Sequence, residues 1–244
     1  GGRRGALKTL LHLKAQRNAP LAVPCKAYTP LHQAAYYGFD VAVSMLLEAG
    51  CCQCVQDGYG ATALYYAASR GWDGIVSQLI EAHQAIADAR CRGTAVAEVS
   101  DADSSHGFAV NIIDLRSCQG WTALSAACYR GRDAAAGVLL RARANTQIAD
   151  RKGGTPLHHA VGQGHVTIAH ILLEARADLN ARDEKGACPL DHAIAPAVRE
   201  LLESFPNRSS PCGVVSPSEL GQPITELQGC KATSRQVGVA DPCA

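Results

Sequence analysis

Apolar pairs mark the chain at Leu46-Leu47, Leu79-Ile80, Leu139-Leu140 and Leu172-Leu173, spaced 33, 60 and 33 residues apart, and Leu201-Leu202 follows after 29. Each pair lies within a stripe at helical spacing. Val41 with Met45 to Leu47 forms one such stripe, and Val166, Ile168, Ala169, Leu172 and Leu173 form another. Polar residues fill the intervening positions, so each stripe predicts a short amphipathic helix with one buried face. These helices are expected to end near Gly50, His83, Arg143 and Arg176. No apolar run approaches the ~18 residues of a membrane span. Lys8, His12 and Lys14 interrupt the stretch from Leu7 to Leu13, and no membrane insertion is expected.

A second marker precedes each stripe. Thr29-Pro30-Leu31-His32, Thr62-Ala63-Leu64-Tyr65, Thr122-Ala123-Leu124-Ser125, Thr155-Pro156-Leu157-His158 and Cys188-Pro189-Leu190-Asp191 recur at intervals of 33, 60, 33 and 33. A Thr hydroxyl can cap the free amides of a helix, and a following Pro presets φ at the first helical position. Gly38, Gly71, Gly131 and Gly164 each stand nine residues after their Thr, where a left-handed residue ends the helix. The pairs Ala34-Ala35, Ala67-Ala68 and Ala126-Ala127 place small side chains on this first helix and permit close approach between units. A unit of two short helices cannot bury its apolar stripe alone, so the units must stack.

The 33-residue period, the T-P-L-H core, Gly164-His165 ahead of a second helix and the Leu-Leu pair resemble the ankyrin repeat family over roughly residues 5 to 205. The resemblance implies an all-α fold: an ankyrin-repeat solenoid of helix-turn-helix units, slightly curved, with β-turn loops projecting from one edge. It also implies that His32 and His158 hydrogen-bond between adjacent turns and so serve structure. In this register residues 28–57, 58–92, 118–150 and 151–183 are full repeats. Residues 5–27 read as an N-terminal capping half-repeat and 184–205 as a truncated C-terminal cap, with Pro196 near the place of the inter-helix Gly. Residues 93–117 form an insertion or a degenerate repeat, and the absence of helical periodicity in Asp101 to Gly107 favours a projecting loop. Residues 206–244, with Pro206, Pro211, Pro217, Pro223 and Pro242, read as a disordered tail.

Composition narrows the function. Aromatic residues make up 5% of the chain and charged residues 18%, and 23 basic against 22 acidic residues leave a formal charge of +1. No global field draws nucleic acid or anionic membrane. Arg130, Arg132, Arg141, Arg143, Arg151 and Lys152 are spread over two surfaces, so nucleic-acid binding is not expected. Eleven cysteines follow no disulfide framework, which suits reduced thiols in a cytoplasmic protein. Arg3, Arg4, Lys8, Lys14, Arg17 and Lys26 precede the first acidic residue, Asp40, as in an organelle transit peptide; nuclear placement is a further alternative. The chain opens on Gly1, as a fragment or processed chain would.

Candidate chemistry is sparse. Cys51, Cys52 and Cys54 lack the C-x-x-C partner of a zinc site, with Cys25 or Cys91 the nearest further ligands in sequence. His159 and His165 match no metal spacing. Asp101, Asp103 and Ser105 begin like a calcium loop, but the twelfth position holds Ile112 where a Glu is required. No phosphate loop, nucleophile elbow or H-E-x-x-H helix occurs, so no enzyme activity, cofactor, metal or small-molecule substrate is expected.

The turn tips and the exposed end of the first helix are richer. The family register places Tyr28, Tyr36, Tyr37, Tyr59, Arg70, Trp121, Tyr129, Arg130, Arg151 and Lys152 there, on the concave, turn-tip face. Tyr, Trp and Arg dominate binding hot spots, so the function expected is a scaffold or adaptor module holding a protein or peptide. The plain alternative for the aromatics is that they shield alanine-rich helices and stack between neighbouring turns. The alternative function is a targeting or regulatory segment of a larger transferase, kinase, ubiquitin ligase or channel.

Overall fold

The computed structural model describes residues 28–91 and 111–205. The chain divides into units at 1–210 and 211–244, and every described residue lies in the first. The expected half-repeat at 5–27, most of the insertion and the tail at 206–244 fall outside the described residues.

The described chain is helical, with no strand. Four helix pairs follow one another: α1 (Pro30–Tyr37) with α2 (Asp40–Glu48), α3 (Ala63–Arg70) with α4 (Asp73–Cys91), α5 (Ala123–Tyr129) with α6 (Asp133–Arg141), and α7 (Pro156–Gln163) with α8 (Val166–Glu174). A 3-10 turn, Pro189–His192, and α9 (Pro196–Ser204) end the series. The first helices form one layer, α1 on α3 on α5 on α7 on the 3-10 turn, and α2, α4, α6, α8 and α9 form the other. Across the interval of 60 residues, α3 lies directly on α5 and α4 on α6. Its described end, Asn111 to Ser117, contributes a 3-10 turn (Ile112–Asp114) that buries Ile112 and Ile113 against α4 and α5.

Each first helix starts as its sequence dictates. Thr62 and Thr122 accept hydrogen bonds from the Tyr65 and Ser125 amides, and Pro30 and Pro156 occupy the first turns of their helices. Gly38 shows why the helix-ending position needs glycine. Its φ is +78°, and a Cβ there would lie 2.6 Å from the Trp72 indole of the next repeat. Between layers, Leu79, Leu139 and Leu172 have no exposed surface, and each contributes about 1.5–3 kcal/mol through burial between neighbours.

His32 and His158 bridge the repeats. The Thr29 amide donates to His32 Nδ1 at 3.1 Å, so Nε2 carries the proton and donates to the Ala61 carbonyl of the next turn at 3.1 Å. His158 repeats this with the Thr155 amide at 3.2 Å and the Ala187 carbonyl at 3.3 Å. Where Tyr65 and Ser125 replace histidine, other side chains span the turns: Gln56 Nε2 donates to the Arg116 carbonyl at 2.9 Å, and Arg116 donates to the Ala149 carbonyl at 2.7 Å. Backbone bonds join the same turns, from the Cys118 amide to Tyr59 O, Arg151 to Gln119 O and Glu184 to Lys152 O.

One expectation is corrected. The fourth helix does not end near His83 but runs on to Cys91. Gly50, Arg143 and Arg176 turn left-handed at the equivalent position, with φ of 73°, 63° and 61°, whereas His83 stays helical among good helix formers, Glu81, Ala82, Gln84 and Ala85. In the last unit the first helix shrinks to the 3-10 turn, because Pro196 holds Ala195 extended (ψ 129°) and opens α9 itself.

Gly38→Ala should destabilise the fold by more than about 1 kcal/mol, since it adds both strain and a clash. Arg176→Gly, relieving a left-handed non-glycine residue, should stabilise it by about 1 kcal/mol. Urea denaturation monitored by circular dichroism checks both signs. Burial holds the pKa of His32 and His158 below the ordinary 6.5, against the opposing pull of their carbonyl partners. The unfolded chain therefore binds protons first as pH falls, so stability is full above about pH 6.5 and declines below it, by up to about 1.4 kcal/mol per pH unit for each imidazole. Urea midpoints at pH 7.5 and 5.5 should show the lower value at pH 5.5.

Candidate interaction face

The repeat register defines the face. Relative to each Thr, the preceding residue lies at the turn, the fourth and seventh residues after it lie along the first helix, and the eighth ends it. Tyr28, Tyr36 and Tyr37 take the preceding, seventh and eighth positions in the first repeat; Trp121, Tyr129 and Arg130 take them in the third. Arg70 holds the eighth position in the second repeat and Gln163 in the fourth.

Two aromatic clusters built on one plan join repeats in pairs. In the first, the Tyr66 ring from α3 lies 5.8 Å from Tyr28 and 5.7 Å from Tyr36, with edge-on geometry. Its hydroxyl donates to Asp57 at the base of the turn. In the second, His159 from α7 takes the place of Tyr66, 4.4 Å from Trp121 and 6.2 Å from Tyr129, and Asp150 takes the place of Asp57. Asp150 Oδ2 is 3.2 Å from His159 Nε2, an electrostatic contact without hydrogen-bond alignment. Burial lowers the His159 pKa, and the Asp150 charge opposes it. The other oxygens of Asp57 and Asp150 each accept two turn amides, at 2.8 and 2.9 Å and at 2.8 and 2.8 Å, so these carboxylates shape the turns and hold the clusters together. Between the second and third repeats the same positions hold Ala61, Ser69 and Ala126, and no aromatic ring stands there.

The structure thus divides the ten residues. Tyr28, Tyr36 and Trp121 are half-buried within the clusters. Tyr37, Tyr59 and Tyr129 are 55%, 63% and 40% exposed, and Arg70, Arg130, Arg151 and Lys152 are exposed. The Arg70 guanidinium lies over the Tyr36 ring at 4.0 Å. Burial raises the Tyr65 pKa, while the Arg130 charge pulls it down. Phe39 stacks on Tyr37 at 5.8 Å, and the Trp72 indole donates to the Tyr36 carbonyl at 3.3 Å, extending the exposed aromatic surface at the first repeat. Tyr65, Tyr66, Phe39, Trp72 and the packing of His159 against Trp121 were missed by residue type alone. Aligning the repeats on their Thr exposes the equivalence of Tyr66 with His159 and of Asp57 with Asp150.

Charge is sorted between layers. The first helices of the four repeats and the turn tips before them, residues 28–38, 58–71, 119–131 and 151–164, carry Arg70, Arg130, Arg151 and Lys152 and no carboxylate, the buried turn residues Asp57 and Asp150 standing just before two of these ranges. Among the described residues, none of these four cations is in an ion pair. The second layer of these repeats exposes Asp40, Glu48, Asp73, Glu81, Asp133 and Glu174, which outnumber its exposed cations Arg132 and Arg141.

A family model described as ankyrin repeats (3 copies) matches residues 2–92, 106–183 and 136–209. The chain belongs to the ankyrin repeat family. No curated relative matches it. Ankyrin repeats are in general protein-interaction modules, and no described helix of this ankyrin-repeat chain is long and apolar enough to cross a membrane. Among the described residues, no three His, Cys, Asp or Glu side chains are grouped to hold a metal ion. Cys51 is buried, and the Cys52 and Cys54 sulfurs lie 2.8 Å apart. The calcium-like run at Asp101 lies outside the described residues.

Trp121→Ala should destabilise the ankyrin stack by about 2 kcal/mol, because it removes the ring that His159 and Tyr129 pack upon. Tyr37→Ala should cost less than about 1 kcal/mol. Thermal melts of the two variants separate a supporting ring from a surface ring.

Proposed function

We propose that this ankyrin-repeat chain is a scaffold or adaptor module that holds a protein or peptide partner on the face made by its first helices and turn tips, without chemistry of its own. The observation that carries this reading is the composition of that face. Exposed tyrosines and exposed cations share it, in a chain with 5% aromatic residues. Such residues combine large contact area with few rotatable bonds and directional charge, the features of binding hot spots. The clusters beneath them fix Tyr36, Tyr129 and Arg70 before a partner arrives, which lowers the ordering cost of association.

The test uses the full chain as bait for affinity capture and mass spectrometry, beside a Tyr37→Ala, Arg70→Ala, Arg130→Ala variant. The expected result is loss of at least ten-fold in captured partner with an unchanged melting temperature. A second-layer variant, Glu48→Ala with Glu174→Ala, should capture normally. Equal capture by the face variant would place binding elsewhere.

A further inference from the structure

The eighth position after each Thr forms a row across the stack. Tyr37, Arg70, Arg130 and Gln163 occupy it in successive repeats, and all four are exposed. The row therefore offers an aromatic ring, then two cations, then an amide. No carboxylate lies on the first helices of these repeats, the turn carboxylates Asp57 and Asp150 are engaged by turn amides and by Tyr66 and His159, and among the described residues neither Arg70 nor Arg130 is in an ion pair.

Spacing gives the row a code. Packed helices lie about 8–10 Å apart, and α1, α3 and α5 are packed neighbours. A peptide in the polyproline II conformation rises about 3.1 Å per residue with three residues per turn, so every third side chain lies on one face and advances by about the distance between neighbouring helices. A segment crossing the layer would bring every third side chain to the row.

Resting on the proposed function, the geometry points to an acidic peptide segment as the partner, laid in the polyproline II conformation across the first helices, with an apolar residue on Tyr37 and carboxylates three and six positions away on Arg70 and Arg130. Phe39 and Trp72 widen the apolar end of the row, where Tyr37 and Phe39 stack. Arg70 is already supported on the Tyr36 ring, which holds its guanidinium for a bidentate carboxylate contact. Two row cations with turn-tip Arg151 and Lys152 make too sparse a track for a polyanion whose affinity depends on many phosphate contacts. A peptide needs only the two matched charges and the ring. The surplus cations of this layer and the carboxylates of the other would steer such a segment to this face.

The test measures fluorescence anisotropy of labelled 15-residue Ser/Gly peptides with the full chain at low and physiological salt. One Phe and two Glu are placed at spacings of two, three or five residues, in both chain directions. A peptide of spacing three should bind about five-fold tighter than its respaced counterparts, weaken with salt, and lose more than ten-fold on Arg70→Glu with Arg130→Glu. That variant should instead bind the Glu→Lys peptide. An Arg70→Gln, Arg130→Gln pair, with melts of each variant, guards against unfolding as the cause. Equal binding at all spacings, no binding of any acidic peptide, equal binding of the Lys peptide by the unaltered chain, or an oligonucleotide of the same charge binding more tightly would each overturn the inference. If the acidic peptides fail while the Tyr37, Arg70, Arg130 variant still loses its captured partner, the face binds a different chemistry. If capture also persists in that variant, the proposed function fails with it.

Discussion

Ala35, Ala67, Ala68 and Ala127 have no exposed surface where the first helices face one another. Methyl-sized side chains at this contact let neighbouring helices approach closely, and that approach brings the turns within hydrogen-bond reach. His32 can meet the Ala61 carbonyl, Gln56 the Arg116 carbonyl and the Arg151 amide the Gln119 carbonyl only at that separation. The same approach puts Trp72 against Gly38 and seats Tyr66 between Tyr28 and Tyr36. A larger side chain in the alanine layer would open the turns, the bridges and the aromatic clusters together. The interfaces between repeats, and not the individual helices, therefore hold the stability.

Much of this was legible in the sequence because its causes are local and repeat. A Thr that caps, a Gly nine residues on and a Leu pair in the second helix each act within one unit, and each recurs in register. The length of α4 was harder to see, since it depends on the lack of a turning residue at His83. Trp121 was legible as an aromatic at a turn, but its partial burial comes from His159 in the following repeat. Tyr66 stands at a helix position with no local signal, and its role appears only when three segments of two repeats are superposed. The candidate face was visible by residue type; the division between supporting and exposed rings depended on contacts between repeats.

The charge sorting grows from helix electrostatics. Asp40, Asp73 and Asp133 sit in the first turns of second helices, and Arg70 lies in the last turn of α3 with Arg130 just beyond α5. Each charge complements the nearby helix end and contributes roughly 0.3–1 kcal/mol at exposed sites. Since all first helices share one direction within their layer, the same local preference repeated along the stack gives a cationic first-helix face and a second layer in which carboxylates outnumber cations. Stabilising a helix and marking a binding face are here one arrangement.

The overrun of α4 reaches further than its own repeat. At ordinary junctions the chain returns to the next turn within a few residues, but between the second and third repeats it leaves at Cys91 and rejoins at Asn111. The helix contacts across that junction match those elsewhere in kind, while the sequence separation they close is longer, at a cost of about 0.6 kcal/mol for each doubling of length. In a one-dimensional array, cooperativity passes from unit to unit through such junctions. This one joins its neighbours by the same kind of helix contacts across a longer sequence separation, so the row of Tyr37, Arg70 and Arg130 is complete only when the second and third repeats are packed together.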